Sequence, residues 1–135
     1  MATQCSTSAE VATAPFQYAL QTRAGCECVS HVLQTLTDLD PNATIWSAGG
    51  VGAFDLISRN SVLAGLLQME GGDRMLPFAM LFYSDPSVFL WGDDMETVHH
   101  IVQGEGGEQG DPLMPLLFCF GQHAALVVVA ERLET

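Results

Sequence analysis

Apolar residues recur at helical spacing in several stretches of this chain and crowd into short strand-like runs between them. Over residues 26–39, Val29, Val32, Leu33, Leu36 and Leu39 fall on one helical face. Asp38-Leu39-Asp40-Pro41-Asn42 ends that helix, because proline disfavours helical backbone in the residue before it. Residues 44–48, Thr-Ile-Trp-Ser-Ala, read as a short β-branched and aromatic strand. Gly49-Gly50-Val51-Gly52 then interrupts the pattern. A helix is expected over 60–69, burying Val62, Leu63, Leu66 and Leu67 and stopped by Gly71-Gly72. A second short helix is expected over 76–83, beginning near Pro77, since proline is tolerated in a first turn. Residues 87–91 and 97–102 read as a hairpin around Gly92-Asp93-Asp94. A polar, glycine-rich loop leads to a final helix over 115–133.

The order helix, strand, helix, hairpin, loop, helix suits an α+β domain with helices packed on one face of a small antiparallel sheet. Residues 1–14 are small and polar and are expected to be disordered, leaving 15–135 as the folded unit. Residues 18–25 read as loop, and no internal repeat is present. With 135 residues there is room for one domain at most.

Composition sharpens this picture. Hydrophobic residues make up 48% and charged residues only 15%, an apolar balance for a soluble domain. The excess implies surface that meets a partner or a further part of the chain. Against 16 Asp and Glu stand 4 basic residues, Arg23, Arg59, Arg74 and Arg132, giving a formal net charge of -12. Nucleic-acid affinity rests on Lys and Arg neutralising phosphates, so the charge disfavours that class of partner. No secretory signal is visible, so an intracellular setting with reduced thiols at Cys5, Cys26, Cys28 and Cys119 is expected. No apolar run is long enough to span a bilayer; the longest, near 113–120, contains proline and sits on the final helix.

The most specific chemistry-bearing segment is residues 103–118, a polar, glycine-rich loop that runs into the last helix, with Gln109-Gly110-Asp111-Pro112-Leu113-Met114-Pro115-Leu116-Leu117-Phe118 as its core. It resembles the block that follows the first catalytic strand in reverse transcriptases of non-LTR retrotransposons. Gly52-Ala53-Phe54-Asp55-Leu56-Ile57, upstream, resembles the end of the first catalytic motif of the same family, and the two blocks come in the family's order. Arg23-Ala24-Gly25 is a weaker, shorter match to the fingers segment. The resemblance implies the fingers and first half of the palm of an RNA-directed DNA polymerase that works with two magnesium ions. It aligns Phe54 with the gate that presses on the sugar, and Gln109 and Gly110 with the nucleotide and template pocket.

The resemblance also shows what is missing. The family's first metal-binding carboxylate lies five residues before the aromatic, and that position is Gly49, which has no side chain to ligate metal. The later Asp-Asp hairpin does not follow within these residues. The chain therefore reads as a truncated, inactive polymerase domain that holds no cofactor itself, magnesium being implied by the family alone. Without an intact site, Phe54 reads as a core phenylalanine, and Asp55 as a carboxylate at a helix N-terminus. Asp111 reads as the cap of the last helix.

Other arrangements are weaker. Gly92-Asp93-Asp94 copies a polymerase metal tripeptide but precedes the glycine-rich loop, so a tight turn is the simpler account. Cys26-x-Cys28-x-x-His31 is too closely spaced for zinc and reads as a buried thiol pair. His99 and His100 point to opposite faces of a strand and cannot chelate together. The rival function is an acidic, non-enzymatic module that binds protein through apolar surface. Self-association, or pairing with a missing palm and thumb, is the partner expectation; a membrane is not.

Overall fold

A computed structural model describes residues 6–20 and 22–133. In chain order the elements are α1 (Ser6–Thr13), α2 (Gly25–Leu39), α3 (Ala53–Leu56), α4 (Arg59–Gln68), α5 (Gly72–Tyr83), β1 (Ser87–Gly92), β2 (Val98–Gln103) and α6 (Met114–Leu133). This is an α+β architecture whose sheet, among the described residues, is the antiparallel β1–β2 pair.

The core lies where α4 crosses α6. Gly65 permits that crossing: a Cβ there would sit 2.4 Å from the Phe120 carbonyl oxygen, so only glycine lets the two backbones approach this closely. Leu66 and Leu117 are the most deeply buried large side chains. On one side of the crossing, Leu66, Met69, Ala79 and Phe120 pack with Ala9; on the other, Val62, Tyr83, Met114 and Leu117 form a second cluster. Truncating either leucine to alanine would cost about 2–5 kcal/mol, because a close-packed core relaxes only partly around the hole. Ser58 caps α4, its hydroxyl accepting the Ser61 N–H at 3.4 Å.

Four sequence expectations change here. The first concerns the N-terminus. Ser6–Thr13 is helical, not disordered, with Ala9 and Thr13 buried; residues 1–5 lie outside the described residues. Its contact stripe is built of small residues, Ala9, Ala12 and Thr13, which fit a shallow groove against α6 but give almost no hydrophobic periodicity to read. Secondly, residues 44–48 form no strand, and Trp46 is 82% exposed. A strand needs a neighbour to bond to, and the only ladder among the described residues is β1–β2. Thirdly, α5 begins at Gly72 and carries Pro77 inside it rather than at its start.

The fourth change concerns how the layers meet. The helices pack chiefly on one another, not on the sheet. All hairpin residues are exposed except Ser87 and Gln103, so both faces of the ladder are open to water. Helix α2 forms as expected, yet Gly25 is its only buried residue, and the face carrying Val29, Val32, Leu33 and Leu36 is uncovered. Leu67, expected in the core, is also exposed. α6 runs for 20 residues and is apolar enough to cross a membrane by length and composition, with 22% of it buried inside the chain. Pro115 at the second helical position costs no intrahelical N–H bond, so the apolar run near 113–120 and the one beyond it lie on one continuous helix.

Candidate functional site

The glycine-rich loop folds back onto α3, so the two sequence blocks 52–57 and 103–118 meet in space. The Gly106 N–H donates to the Ile57 carbonyl at 2.8 Å, and the Gly107 N–H to the Phe54 carbonyl at 2.9 Å. Gly106 has φ +68°, and a Cβ on it would lie 2.2 Å from the Asp55 carbonyl carbon; on Gly107 it would collide with Met114 Sδ at 2.0 Å. At Gly106 backbone lies directly on backbone, which is why that position is glycine; at Gly107 the close neighbour is the Met114 side chain.

Arg59 fastens the joint. It is only 6% exposed, and each nitrogen of its guanidinium is engaged. Nε donates to the Gly106 carbonyl at 2.8 Å, Nη1 to the Asp85 carbonyl at 2.5 Å, and Nη2 to Ser87 Oγ at 3.0 Å. Its backbone N–H donates to Glu105 Oε2 at 2.7 Å, which places a carboxylate at the N-terminus of α4, where the helix dipole favours it. One planar cation thus ties the loop, the base of the hairpin and α4 together, a task suited to the rigid guanidinium fork.

Beside it, the guanidinium carbon lies 5.4 Å from the centre of the Tyr83 ring. The Tyr83 hydroxyl donates to Asp111 Oδ2, while Asp111 Oδ1 accepts the Leu113 N–H at 2.8 Å. Asp111 is therefore not the cap of α6: it stands three residues before the helix, turns the chain by accepting the N–H of Leu113, which flanks the helix, and binds α5 as well. Burial, and then the hydrogen bond and negative charge of Asp111, push the Tyr83 phenol well above its ordinary range. It stays a neutral donor and is no base or nucleophile near neutral pH.

The residues aligned with a nucleotide pocket are placed as follows. Phe54 sits on α3, half-buried, its ring 5.2 Å from that of Phe118. It borders an open apolar groove of about 300 Å³ with Phe16, Leu20, Pro115, Phe118 and Cys119. Burial raises the Cys119 thiol above its usual range, so it is a poor nucleophile. Gln109 and Gly110 lie exposed; the loop reaches residue 54 through Gly107, not through them. Gly110 has φ +98° and open space where a Cβ would stand.

The residues do not fit a two-magnesium site. Gly49 is exposed, with no donor and nothing within 4 Å of where a Cβ would be. Among the described residues, no group of three His, Cys, Asp or Glu side chains comes together in a way that could hold a metal ion. Asp93 is already engaged: Oδ1 accepts the Met95 and Thr97 N–H groups, both at 2.9 Å, and Oδ2 lies 2.9 Å from His99 Nε2. The loop is wider than a Gly-Asp turn. Asp93 and Thr97 pair across three residues, with Glu96 at φ +60°. Cys26 and Cys28 are exposed free thiols, not a buried pair, because the face of α2 that bears them is uncovered.

Arg59, Tyr83 and Glu105 were not singled out by the sequence. The signal that could have found Arg59 is its setting: one of four cations in a chain of net charge -12, next to the capping Ser58 and at the start of a helix. Comparison with known proteins adds no relative: no family model, no curated protein and no solved structure matches the chain.

Proposed function

We propose that this chain is a catalytically silent domain of retrotransposon reverse-transcriptase type, whose two polymerase-like blocks serve as a structural joint. The observation that carries this reading is the packing of Gly106 and Gly107 on the backbone of 54–57. Blocks 103–118 and 52–57, which lie far apart in sequence and each resemble a segment of that family, form one unit. The joint uses the glycines for close approach and Asp111 to tie the loop to α5, and it leaves Gln109 and Gly110 exposed. Gly49 supplies no oxygen for a metal, so magnesium-dependent nucleotidyl transfer has no anchor on these residues.

The test is a magnesium-dependent primer-extension assay on four proteins: this chain, its Gly49→Asp variant, and each of the two joined to the remaining palm and thumb of a related polymerase. Added side-chain bulk at Gly49 meets no neighbour, so the substitution reads chemistry rather than folding. The expected result is extension by the completed Gly49→Asp protein alone. Extension by the unmodified chain, or equal extension by both completed proteins, would sink the assignment of Gly49 to the metal position.

A second reading is favoured by a different observation. Apolar side chains stand exposed along α2, the hairpin and the outer side of α5, where Phe78, Leu81 and Phe82 face water. That surface, on so acidic a chain, supports a module that binds other proteins without catalysis.

A further inference from the structure

The hairpin has no device that keeps its edges from pairing. Natural edge strands are guarded by lysine, proline, bulges or a covering element. Here the ladder runs without a bulge from Ser87↔Gln103 to Gly92↔Val98. Neither strand contains proline, and the chain contains no lysine at all. The faces are largely apolar on both sides: Val88, Leu90 and Val102 stand with His100 on one, Phe89, Trp91 and Ile101 with His99 on the other, all exposed. A two-stranded hairpin by itself is marginal in water; Arg59 ties the base of this one to α4, and a third strand on an outer edge would steady the rest.

The register shows which groups are free. Asp93 N–H bonds to the Thr97 carbonyl, so ladder pairing alternates from there. Trp91↔His99 and Phe89↔Ile101 then bond inward, and Val88, Leu90, Val98, His100 and Val102 turn their N–H and C=O groups outward. Those groups are a template for an added strand.

Charge decides what kind of strand. The apolar stretch is bounded at its turn by Asp93, Asp94 and Glu96, and at its base by Asp85 and Glu105. Arg59 at the base is buried, with its donors committed. A second copy is a poor occupant. Antiparallel self-pairing of either strand would set the turn acids of one copy beside the base acids of the other, between molecules that each carry -12. A strand with cations at both ends meets the opposite sign at both.

We propose that an outer edge of the β1–β2 hairpin takes up an extended partner segment with an alternating apolar centre and Lys or Arg at each end. The inference deepens the protein-interaction reading and rests on it. It does not depend on the polymerase kinship.

The test uses the full chain and fluorescent blocked peptides of about ten residues, the length of a strand with short flanks. One has a Val-Thr alternating centre with Lys-Arg pairs at both ends. A second has Glu-Asp ends on the same centre. A third repeats the first with alternate amides N-methylated. Anisotropy is expected to show binding of the basic-ended peptide that weakens as salt rises, at least about tenfold weaker binding of the acidic-ended one, and loss with the N-methylated one. Phe89→Lys and Ile101→Lys should each lower affinity about tenfold. Because these two could perturb the hairpin itself, the surface pair Asp94→Asn and Glu96→Gln should also weaken binding and reduce its salt dependence. Val29→Lys and Leu36→Lys on α2 should leave it unchanged. Equal binding of all three peptides, or no binding of the basic-ended one, would overturn the proposal. So would a salt-stable dimer dissolved by Phe89→Lys, which would make a second copy the occupant. Binding lost in the α2 variants and kept in the hairpin variants would reject the hairpin while leaving the interaction reading standing.

Discussion

The Arg59 guanidinium lies over the ring of Tyr83, 5.4 Å from its centre, and that contact marks the point where α4, α5, the hairpin and the glycine-rich loop meet. Replacing Arg59 with methionine keeps the volume of the stem but strands the Gly106 carbonyl inside the protein and unties the part-buried Asp85 carbonyl. The expected loss of stability is about 3 kcal/mol, the range for a buried group whose partners are left unpaired. Arg59→Lys should recover less than half of it, since an ammonium cannot reach three acceptors in a plane. Urea-unfolding midpoints of the three proteins check this. Equal midpoints for wild type and lysine would show that charge alone, and not the fork, holds the joint.

Gly106 and Gly110 both have positive φ, but they differ in surroundings. Gly106→Ala adds a collision with the Asp55 backbone to the strain of the left-handed conformation, whereas Gly110→Ala meets open space. The expected costs are about 3 kcal/mol or more for Gly106→Ala and about 1 kcal/mol for Gly110→Ala. Thermal melts of the pair decide the matter, and a larger loss at Gly110 would place the loop contact at the wrong glycines.

Glu96 holds φ +60° in the hairpin turn, a conformation costly for a side-chain-bearing residue. Glu96→Gly should stabilise the protein by about 0.5–1 kcal/mol, with Glu96→Gln as the control for the lost charge. Hydrogen exchange at the β1 and β2 amides reports the change locally. Exchange slowed equally in the glutamine variant would assign the effect to charge.

The hydrogen bond from His99, then that from the Thr97 N–H, hold Asp93 below its ordinary value of 3.8. A carboxylate with a depressed folded-state value lends stability that is complete above its unfolded value and fades as pH falls through the folded one. The turn should therefore loosen in the acid range below pH 3.8, and Asp93→Asn should flatten that part of the stability profile. Amide shifts of Met95 and Thr97 followed by NMR give the midpoint. A midpoint at or above 3.8 would contradict the capping geometry.

Nucleic acid should not be retained. With a net charge of -12, and with Arg59 buried in the joint, the counterion-release term that drives nonspecific binding is unfavourable. Anisotropy with a labelled RNA–DNA hybrid at physiological salt should stay flat. Micromolar binding would reveal a local patch strong enough to outweigh the whole.

The sequence by itself determined α2, whose periodicity is strong, because side-chain spacing records which face of an element is apolar; α4, α6 and the β1–β2 hairpin it placed by their apolar content and the glycines and prolines that bound them. It also marked Gly49 as a position with no side chain to offer, since that follows from residue identity alone. Only the tertiary structure decided what covers each element. Ala9 and Ala12 make a helix of a stretch that reads as polar, because small residues signal no periodicity until a groove receives them. Ile45 and Trp46 stay out of any strand, because β structure depends on a neighbour that local sequence does not encode. The same reason hid Arg59: its three acceptors come from residues 85, 87 and 106, and no local pattern brings them to one guanidinium.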